Sequence, residues 1–276
     1  MCSPRRAHVG ERWLVAVLGG LIGLAVGSFL NVCSLRWPVD ESVVRPPSRC
    51  PGCGNGIRWY DNVPVLSWLV LRGRCRDCGM PISGQYPLTE ATIGLVWAGL
   101  FWAHGPTPEA LRGAAFLTIL LGIALSDARF YIIPDQFSLG GTALGLAFSF
   151  LPGNITPMQS GVGALGGFAL LWLVGFGGTW LIRKLRPGRL EEAGVDRALG
   201  GGDVKMMAMV GAFLGIWGVA TTLFLCSLVA LVVFGPISAL TKRLIPLGIF
   251  LAAGAAVSYA WGEALLAWYE THVLMM

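Results

Sequence analysis

Charged residues are scarce in this chain of 276 residues. They make up 13% of it, against ~25% in typical soluble domains. Hydrophobic residues account for 55%, and the mean hydropathy is +0.67. This balance excludes an ordinary pair of soluble domains and predicts a protein whose main solvent is membrane lipid.

Histidine is also rare, and this limits the catalytic chemistry that the chain can support. The three histidines are His8, His104 and His272, and none neighbours another in the sequence. The chain therefore does not offer the grouped histidines of a catalytic zinc site, nor the histidine expected in a serine–histidine triad.

The net charge of +5 is spread over loops. No continuous basic helix or nucleic-acid motif stands out, so no nucleic-acid partner is expected.

Long apolar runs are abundant, and about 20 apolar residues are enough to cross a bilayer as a helix. The first run has no small-residue cleavage site and is too long for a signal peptide core, so it predicts a retained helix. The long 204–240 stretch is expected to break near Gly215-Ile-Trp-Gly218. The fold class predicted is an all-α polytopic bundle of about eight transmembrane helices. The eight runs are 13–35, 88–104, 110–126, 137–152, 160–182, 204–215, 216–240 and 245–264.

Lysine and arginine predict the orientation of these helices, because cytoplasmic loops carry an excess of both. One arrangement puts 16 of the 20 Lys and Arg in the cytoplasm and both termini outside it. Arg5, Arg6, Arg12 and Arg112 lie on the other side. The cytoplasmic loops are then 36–87, 127–136, 183–203 with Lys205, and 241–244.

Four cysteines lie in the polar segment 36–87, as two C-x-x-C pairs: Cys50 with Cys53, and Cys75 with Cys78. Two such pairs supply the four thiolates of a tetrahedral zinc site, which would be closed and structural. Stable disulfides are unfavourable in a cytoplasmic loop, and a redox dithiol needs only one pair. The chain is therefore divided into an N-terminal transmembrane helix (1–35), a cytoplasmic zinc module (36–87) and a transmembrane domain (88–276).

Acidic residues at the edge of an apolar span are costly and mark functional sites by default. Asp127 ends the third span, and Asp203 follows Gly200-Gly-Gly202 at the start of the sixth. Asp135, after Pro134, is interpreted as a helix N-cap. Two adjacent carboxyl groups can share a proton and act as base and acid on a peptide bond. Proton or ion translocation would use the same acids, and the residues alone leave both alternatives open.

An ordered set of motifs resembles the bacterial type IV prepilin peptidase (leader peptidase) family, from about residue 20 to 210. Gly200-Gly-Gly-Asp203 resembles the G-x-G-D signature of intramembrane aspartyl proteases, and Asp127 with Pro134-Asp135 resembles the family's second aspartate motif. The N-terminal half resembles the family at Gly27-Ser-Phe-Leu-Asn31, Arg49-Cys-Pro-Gly-Cys53, Trp59-Tyr-Asp-Asn-Val-Pro64, Leu66-Ser-Trp68, Arg72-Gly-Arg-Cys75, Ile82-Ser83 and Tyr86-Pro-Leu-Thr-Glu90.

The resemblance implies that Asp127 and Asp203 are the catalytic pair. It implies cleavage, after a glycine at the cytoplasmic face of the inner membrane, of the leader of type IV prepilins or type II secretion pseudopilins. It also implies N-methylation of the new terminus with S-adenosylmethionine, for which no binding residue is assigned. Arg197 departs from the family, which often has glutamate six residues before the second aspartate.

Two other classes remain as rival hypotheses. An inactive scaffold that docks pilus or secretion machinery through the zinc module would tolerate loss of either aspartate. A proton-coupled transporter would use the acids for translocation, although they cluster at one membrane edge instead of forming a chain across it.

Overall fold

A computed structural model describes residues 7–186, 188, 191, 195–238 and 247–273 of the chain. These residues form helices, joined by loops with two isolated β-bridges and no strand. Short 3-10 turns cover Trp37–Val39 and Trp59–Asn62. The α-helices are α1 (Ala7–Arg36), α2 (Leu66–Val70), α3 (Gln85–His104), α4 (Pro108–Phe130), α5 (Asp135–Phe148), α6 (Pro157–Leu185), α7 (Gly201–Ser238) and α8 (Leu247–His272).

Five of the described helices are long and apolar enough to cross a membrane, which confirms the predicted all-α membrane fold. Helices also form at the predicted spans 88–104 and 137–152, as α3 and α5, but these two are not among the five. Helix α5 has 14 residues and so extends only about 21 Å. The five candidate spans are Arg12–Val39, Pro108–Phe130, Pro157–Leu185, Gly201–Val232 and Leu247–His272.

The predicted break near Gly215 is present inside α7. Gly215 has φ 71° and ψ −176°, which lies outside the helical region. Glycine enters this region without the steric cost of a Cβ atom. The predicted spans 204–215 and 216–240 therefore correspond to two arms of α7, each helical in its own right, that meet at Gly215.

The chain divides into two compact units, one ending at Thr118 and the other beginning at Ile119. In the first unit, α1 packs against α3 through glycines of α1. A Cβ atom at Gly23 would lie 2.8 Å from the Ile93 carbonyl oxygen. One at Gly27 would lie 2.8 Å from the Cα atom of Glu90. Small residues thus bring the two backbones close, as is usual between helices in lipid.

Glu90 of α3 connects this helix pair to the cysteine-bearing loop. Its carboxylate is buried, and its Oε2 accepts a hydrogen bond of 2.7 Å from the Val65 amide. Val65 has φ 61°, a conformation that a β-branched residue rarely adopts. The carboxylate therefore stabilises an unfavourable turn at the entry to α2.

Glu90→Ala is expected to lower the free energy of unfolding of the first unit by about 1.5–3 kcal/mol, because it leaves the Val65 amide without its charged acceptor. Thermal unfolding in detergent measures the change. Glu41→Ala, which removes an exposed carboxylate of the same loop, serves as the control. An equal shift for both variants would contradict the assigned role of Glu90.

In the second unit, α6 and α7 approach so closely that their backbones touch. A Cβ atom at Gly211 would lie 2.0 Å from the Gly163 carbonyl oxygen, and one at Gly163 would lie 2.2 Å from the Gly211 carbonyl oxygen. Beside this crossing, the Ser160 hydroxyl donates a hydrogen bond of 2.6 Å to the Ala212 carbonyl. This contact holds the arm of α7 that carries Asp203 against α6.

Gly211→Ala is expected to destabilise the second unit by about 1–3 kcal/mol, because the helices must separate to admit the methyl group. Gly161→Ala is the matched control on α6, since a Cβ atom there meets nothing within 4 Å. That control is expected to be neutral or slightly stabilising, because alanine is the better helix former. Unfolding of both variants in the same detergent compares them, and similar stabilities would rule out the close backbone crossing.

Candidate active site and metal centre

The four predicted metal ligands meet in the first unit. The Sγ atoms of Cys50, Cys53, Cys75 and Cys78 all lie within 4.8 Å of one another, and those of Cys50 and Cys78 are 3.7 Å apart. In a tetrahedral site with metal–sulfur bonds near 2.3 Å, the sulfurs are about 3.8 Å apart. All four cysteines are free thiols. The cluster therefore could hold a metal ion.

Each C-x-x-C pair is shaped by a tight turn, and the two turns repeat one hydrogen-bond pattern. The Cys50 amide donates to the Asn55 carbonyl at 2.9 Å, and the Gly54 amide donates to the Cys50 carbonyl at 2.8 Å. The second turn repeats these bonds at 2.8 and 2.9 Å with Cys75, Met80 and Gly79. The equivalence presents both pairs of sulfurs in the same way.

Backbone geometry shapes both turns and, in the first turn, favours the thiolate of Cys50. Gly54 and Gly79 have φ of 73° and 72°, which glycine adopts readily. Backbone amides of Cys53 and Gly52 donate to the Cys50 sulfur and lower the pKa of this thiol to about 7. A lowered pKa favours the thiolate, which is the metal-binding form.

Charged side chains connect the two turns to the rest of the loop, which sequence reasoning did not anticipate. Arg76 donates from Nε and Nη2 to the Asp61 carboxylate at 2.6–3.1 Å, which lowers the pKa of that carboxyl. Asn55 donates to Asp77 at 3.0 Å and so joins the first turn to the second. Residue types and spacing alone do not pair these groups, because each pair joins separate turns of the loop.

Asp127 lies near the C-terminus of α4 and is only 5% exposed. Its Oδ2 accepts a hydrogen bond of 3.2 Å from the amide of Ile249, in the first turn of α8. The adjacent Gly248 leaves room for this carboxylate, because a Cβ atom there would lie 2.7 Å from Oδ2. The two residues of α8 therefore fix the position of the Asp127 side chain.

Asp203 lies in the first turn of α7, half-buried, in the same unit as Asp127. The two carboxyl groups are close enough to interact directly through their charges. Ile133 borders the neighbours of both aspartates, because a Cβ atom at Gly202, next to Asp203, or at Gly248, beside Asp127, would fall 3.0 Å from its side chain. The fold thus brings together the two aspartates that the sequence selected.

Asp135 has a different role from the N-cap that the sequence predicted. The N-cap of α5 is Pro134, which makes no side-chain capping bond, and Asp135 is the first helical residue. The Asp135 carboxylate accepts two hydrogen bonds from the Lys205 ammonium, at 2.7 and 2.9 Å. Because Lys205 lies two residues after Asp203, this ion pair ties the loop after α4 to the start of α7.

The sequence reasoning missed the contribution of α8 to the site. Ile249 acts through its backbone amide, and Gly248 acts through its lack of a side chain. Neither residue has a chemical type that indicates a site. The available signal was the start of an apolar helix next to a loop that the sequence predicts to be cytoplasmic.

Together, the fold and the site define a class: a polytopic helical membrane protein with two buried or half-buried aspartates in one unit and a four-cysteine cluster in the other. Comparison with known families agrees with this class. Residues 114–235 match the type IV leader peptidase family, and residues 21–104 match the bacterial peptidase A24 N-terminal domain. The chain belongs to the type IV leader peptidase family.

Several curated relatives are named prepilin leader peptidase/N-methyltransferase. The protein from Aeromonas hydrophila is 33% identical over 97% of this chain and 98% of its own length. The one from Neisseria gonorrhoeae is 35% identical over 78% of this chain and 79% of its length. The one from Myxococcus xanthus is 39% identical over 73% of this chain and 56% of its length. No solved structure matches the chain.

Proposed function

We propose that this protein is an aspartyl endopeptidase of the bacterial inner membrane. It removes the short leader of type IV prepilins or type II secretion pseudopilins, cutting after a glycine. The observation that carries the proposal is geometric: Asp127 and Asp203 lie at the ends of two membrane-capable helices, next to Gly248 and Gly202, which both border Ile133. The names of the relatives support the choice of prepilins as substrates.

The two carboxyl groups would work as an acid–base pair. Adjacent carboxyl groups cannot both ionise easily, so they share one proton. The ionised member takes a proton from water as the water oxygen bonds to the scissile carbonyl carbon, and the protonated member donates a hydrogen bond to the carbonyl oxygen. The proton taken from water then passes to the leaving nitrogen as the C–N bond breaks. Ile249 supports this arrangement by orienting Asp127, and Gly200 to Gly202 leave room for an extended substrate backbone beside Asp203.

The second proposed activity is methylation of the amino group that cleavage exposes. Each of the relatives described above has both activities in its name. S-adenosylmethionine would supply the methyl group. We assign no residue of this chain to the donor.

The four cysteines would hold a structural zinc ion. Four thiolates in a closed tetrahedral arrangement favour zinc over harder cations such as magnesium or calcium. The segment 36–87 is small for an independent apolar core, so metal binding would supply much of its folding energy. We retain the division into a first helix (1–35), this module and a peptidase domain (88–276).

The active site and the zinc module would lie at the cytoplasmic face. The excess of lysine and arginine in the loops that carry them supports this orientation. A pilin leader would then meet Asp127 and Asp203 where its membrane helix begins.

The test uses the purified full chain in detergent, a prepilin-like substrate and isotopically labelled S-adenosylmethionine. Mass spectrometry is expected to find cleavage after the leader glycine and the label on the new terminal amine. If the substrate stayed intact after incubation with stable, metal-loaded enzyme, the peptidase proposal would be overturned. Cleavage without label would overturn only the methylation.

A further inference from the structure

The outer surface of α6 carries a cavity of about 590 Å³ that the proposed reaction does not use. One wall is the C-terminal half of α6, and the other is the chain that leads into α7. Aromatic side chains line the part within the apolar span. The two lining arginines are one near the end of α6 and one in the chain before α7. These residues are Trp172, Phe176, Trp180, Arg183 and Arg197.

The aromatic wall faces outward from the protein. Trp172 and Phe176 stack with their ring centroids 5.5 Å apart and their planes 10° apart. They are 47% and 62% exposed, and Trp180 is 56% exposed. Only 11% of the most apolar part of α6 is buried, the smallest share among the five membrane-capable helices. An apolar surface of this kind on a spanning helix contacts acyl chains.

The polar end of the cavity carries excess positive charge. Within the described part of the chain, neither Arg183 nor Arg197 forms a salt bridge. Arg183 donates to the backbone carbonyl of Asp196 at 3.2 Å, and Asp196 is the one acid among the described residues that line the cavity. Lys184 stacks over the Trp180 ring at 5.0 Å and adds a further cation nearby. Two guanidinium groups against one carboxylate favour an anionic ligand.

The distance between the two ends matches an amphiphile. Trp172 and Arg183 lie three turns apart on α6, which corresponds to about 16 Å along the helix axis. A phospholipid covers such a distance from the upper part of its acyl chains to its phosphate. We propose that this cavity binds one anionic phospholipid, with its phosphate between Arg183 and Arg197 and an acyl chain along Trp172 and Phe176.

The cavity lies next to the first turn of α7, so a bound lipid would contact this turn. Gly201 and Val204 line the cavity, and these residues belong to the first turn of α7, which also carries Asp203. A lipid in the cavity would therefore fill the space between α6 and this turn. The proposal does not depend on the proposed enzymatic activity, because it concerns binding alone.

The test titrates phosphatidylglycerol and phosphatidylcholine into the delipidated full chain in detergent and counts bound lipid by native mass spectrometry. Wild type is expected to retain one phosphatidylglycerol more tightly than phosphatidylcholine. Arg183→Gln and Arg197→Gln should each weaken phosphatidylglycerol binding about fivefold and leave phosphatidylcholine binding unchanged. Arg186→Gln is the charge-matched control, because Arg186 is also exposed at the end of α6 but does not line the cavity. It should change binding by less than about twofold.

Three outcomes would overturn the proposal. Equal binding of the two lipids to wild type would exclude recognition of the headgroup charge. If Arg186→Gln and Arg197→Gln weakened phosphatidylglycerol binding equally, the preference would reflect only a general attraction between basic residues and the anionic headgroup. Suppose that a bound prepilin-like peptide is lost in Trp172→Ala and that wild type shows no preference for phosphatidylglycerol. The cavity would then be a site for an apolar protein segment and not for a lipid. Trp172→Ala tests the apolar wall. This substitution is expected to weaken the binding of both lipids by a similar factor.

Discussion

Asp127→Asn and Asp203→Asn are each expected to reduce prepilin cleavage by about 10³-fold or more, because an amide cannot exchange the proton that the reaction moves. The substitution preserves side-chain size, and the new carbonyl at position 127 can still accept the bond from Ile249. Folding and membrane insertion should therefore be retained. Initial cleavage rates of the purified variants, at equal concentration, measure the effect.

The matched control for this pair is Asp40→Asn. Asp40 is exposed in the loop after α1, with φ 56°, a conformation that asparagine tolerates well. Its variant is expected to cleave at the wild-type rate. Residual cleavage above about one tenth of wild type in either Asp127→Asn or Asp203→Asn would exclude the acid–base pair.

Loss of a cysteine ligand is expected to have the second large effect. Wild type should contain about one zinc ion per chain, and Cys53→Ser should contain almost none, because the serine hydroxyl is a poor ligand for zinc. Structural zinc sites contribute about 10–16 kcal/mol of binding energy to folding. The segment 36–87 should therefore become sensitive to protease in this variant. Elemental analysis and limited proteolysis measure the two effects.

Cys226→Ala serves as the control for metal content. Cys226 is buried in α7 and lies outside the four-cysteine cluster, so the variant should keep its zinc. Wild type treated with a strong chelator should become as sensitive to protease as Cys53→Ser. Metal-free wild type with four reactive thiols and a protease-resistant loop would contradict the zinc proposal.

Sequence patterns predicted the features that depend on neighbours along the chain. The C-x-x-C spacing places both sulfurs of a pair on one turn, so the cluster of Cys50, Cys53, Cys75 and Cys78 was accessible from spacing alone. The break at Gly215 followed from the length limit on a spanning helix and from the conformational range of glycine. The boundaries of α5 were less accurate, because apolar residues continue past its end at Phe148.

Other features depend on long-range contacts that the types of the two residues do not predict. The Val65 amide needs Glu90 because its turn is unfavourable, yet valine and glutamate at these positions do not predict a bond. Asp135 looked like an N-cap because it follows a proline, but its carboxylate pairs with Lys205 from a distant helix. Local rules failed here because a long-range charge partner was available.

The sequence by itself predicted a lipid environment, the helices, the cluster of four cysteines and, through the family motifs, the pair of aspartates proposed as catalytic. These properties are set by composition and by short-range spacing. Only the tertiary structure decided how Asp127 is held, because its donor is the backbone amide of Ile249, and every residue except proline has such an amide. It also decided the cavity beside α6, whose two walls come from separate segments that meet only in the folded chain.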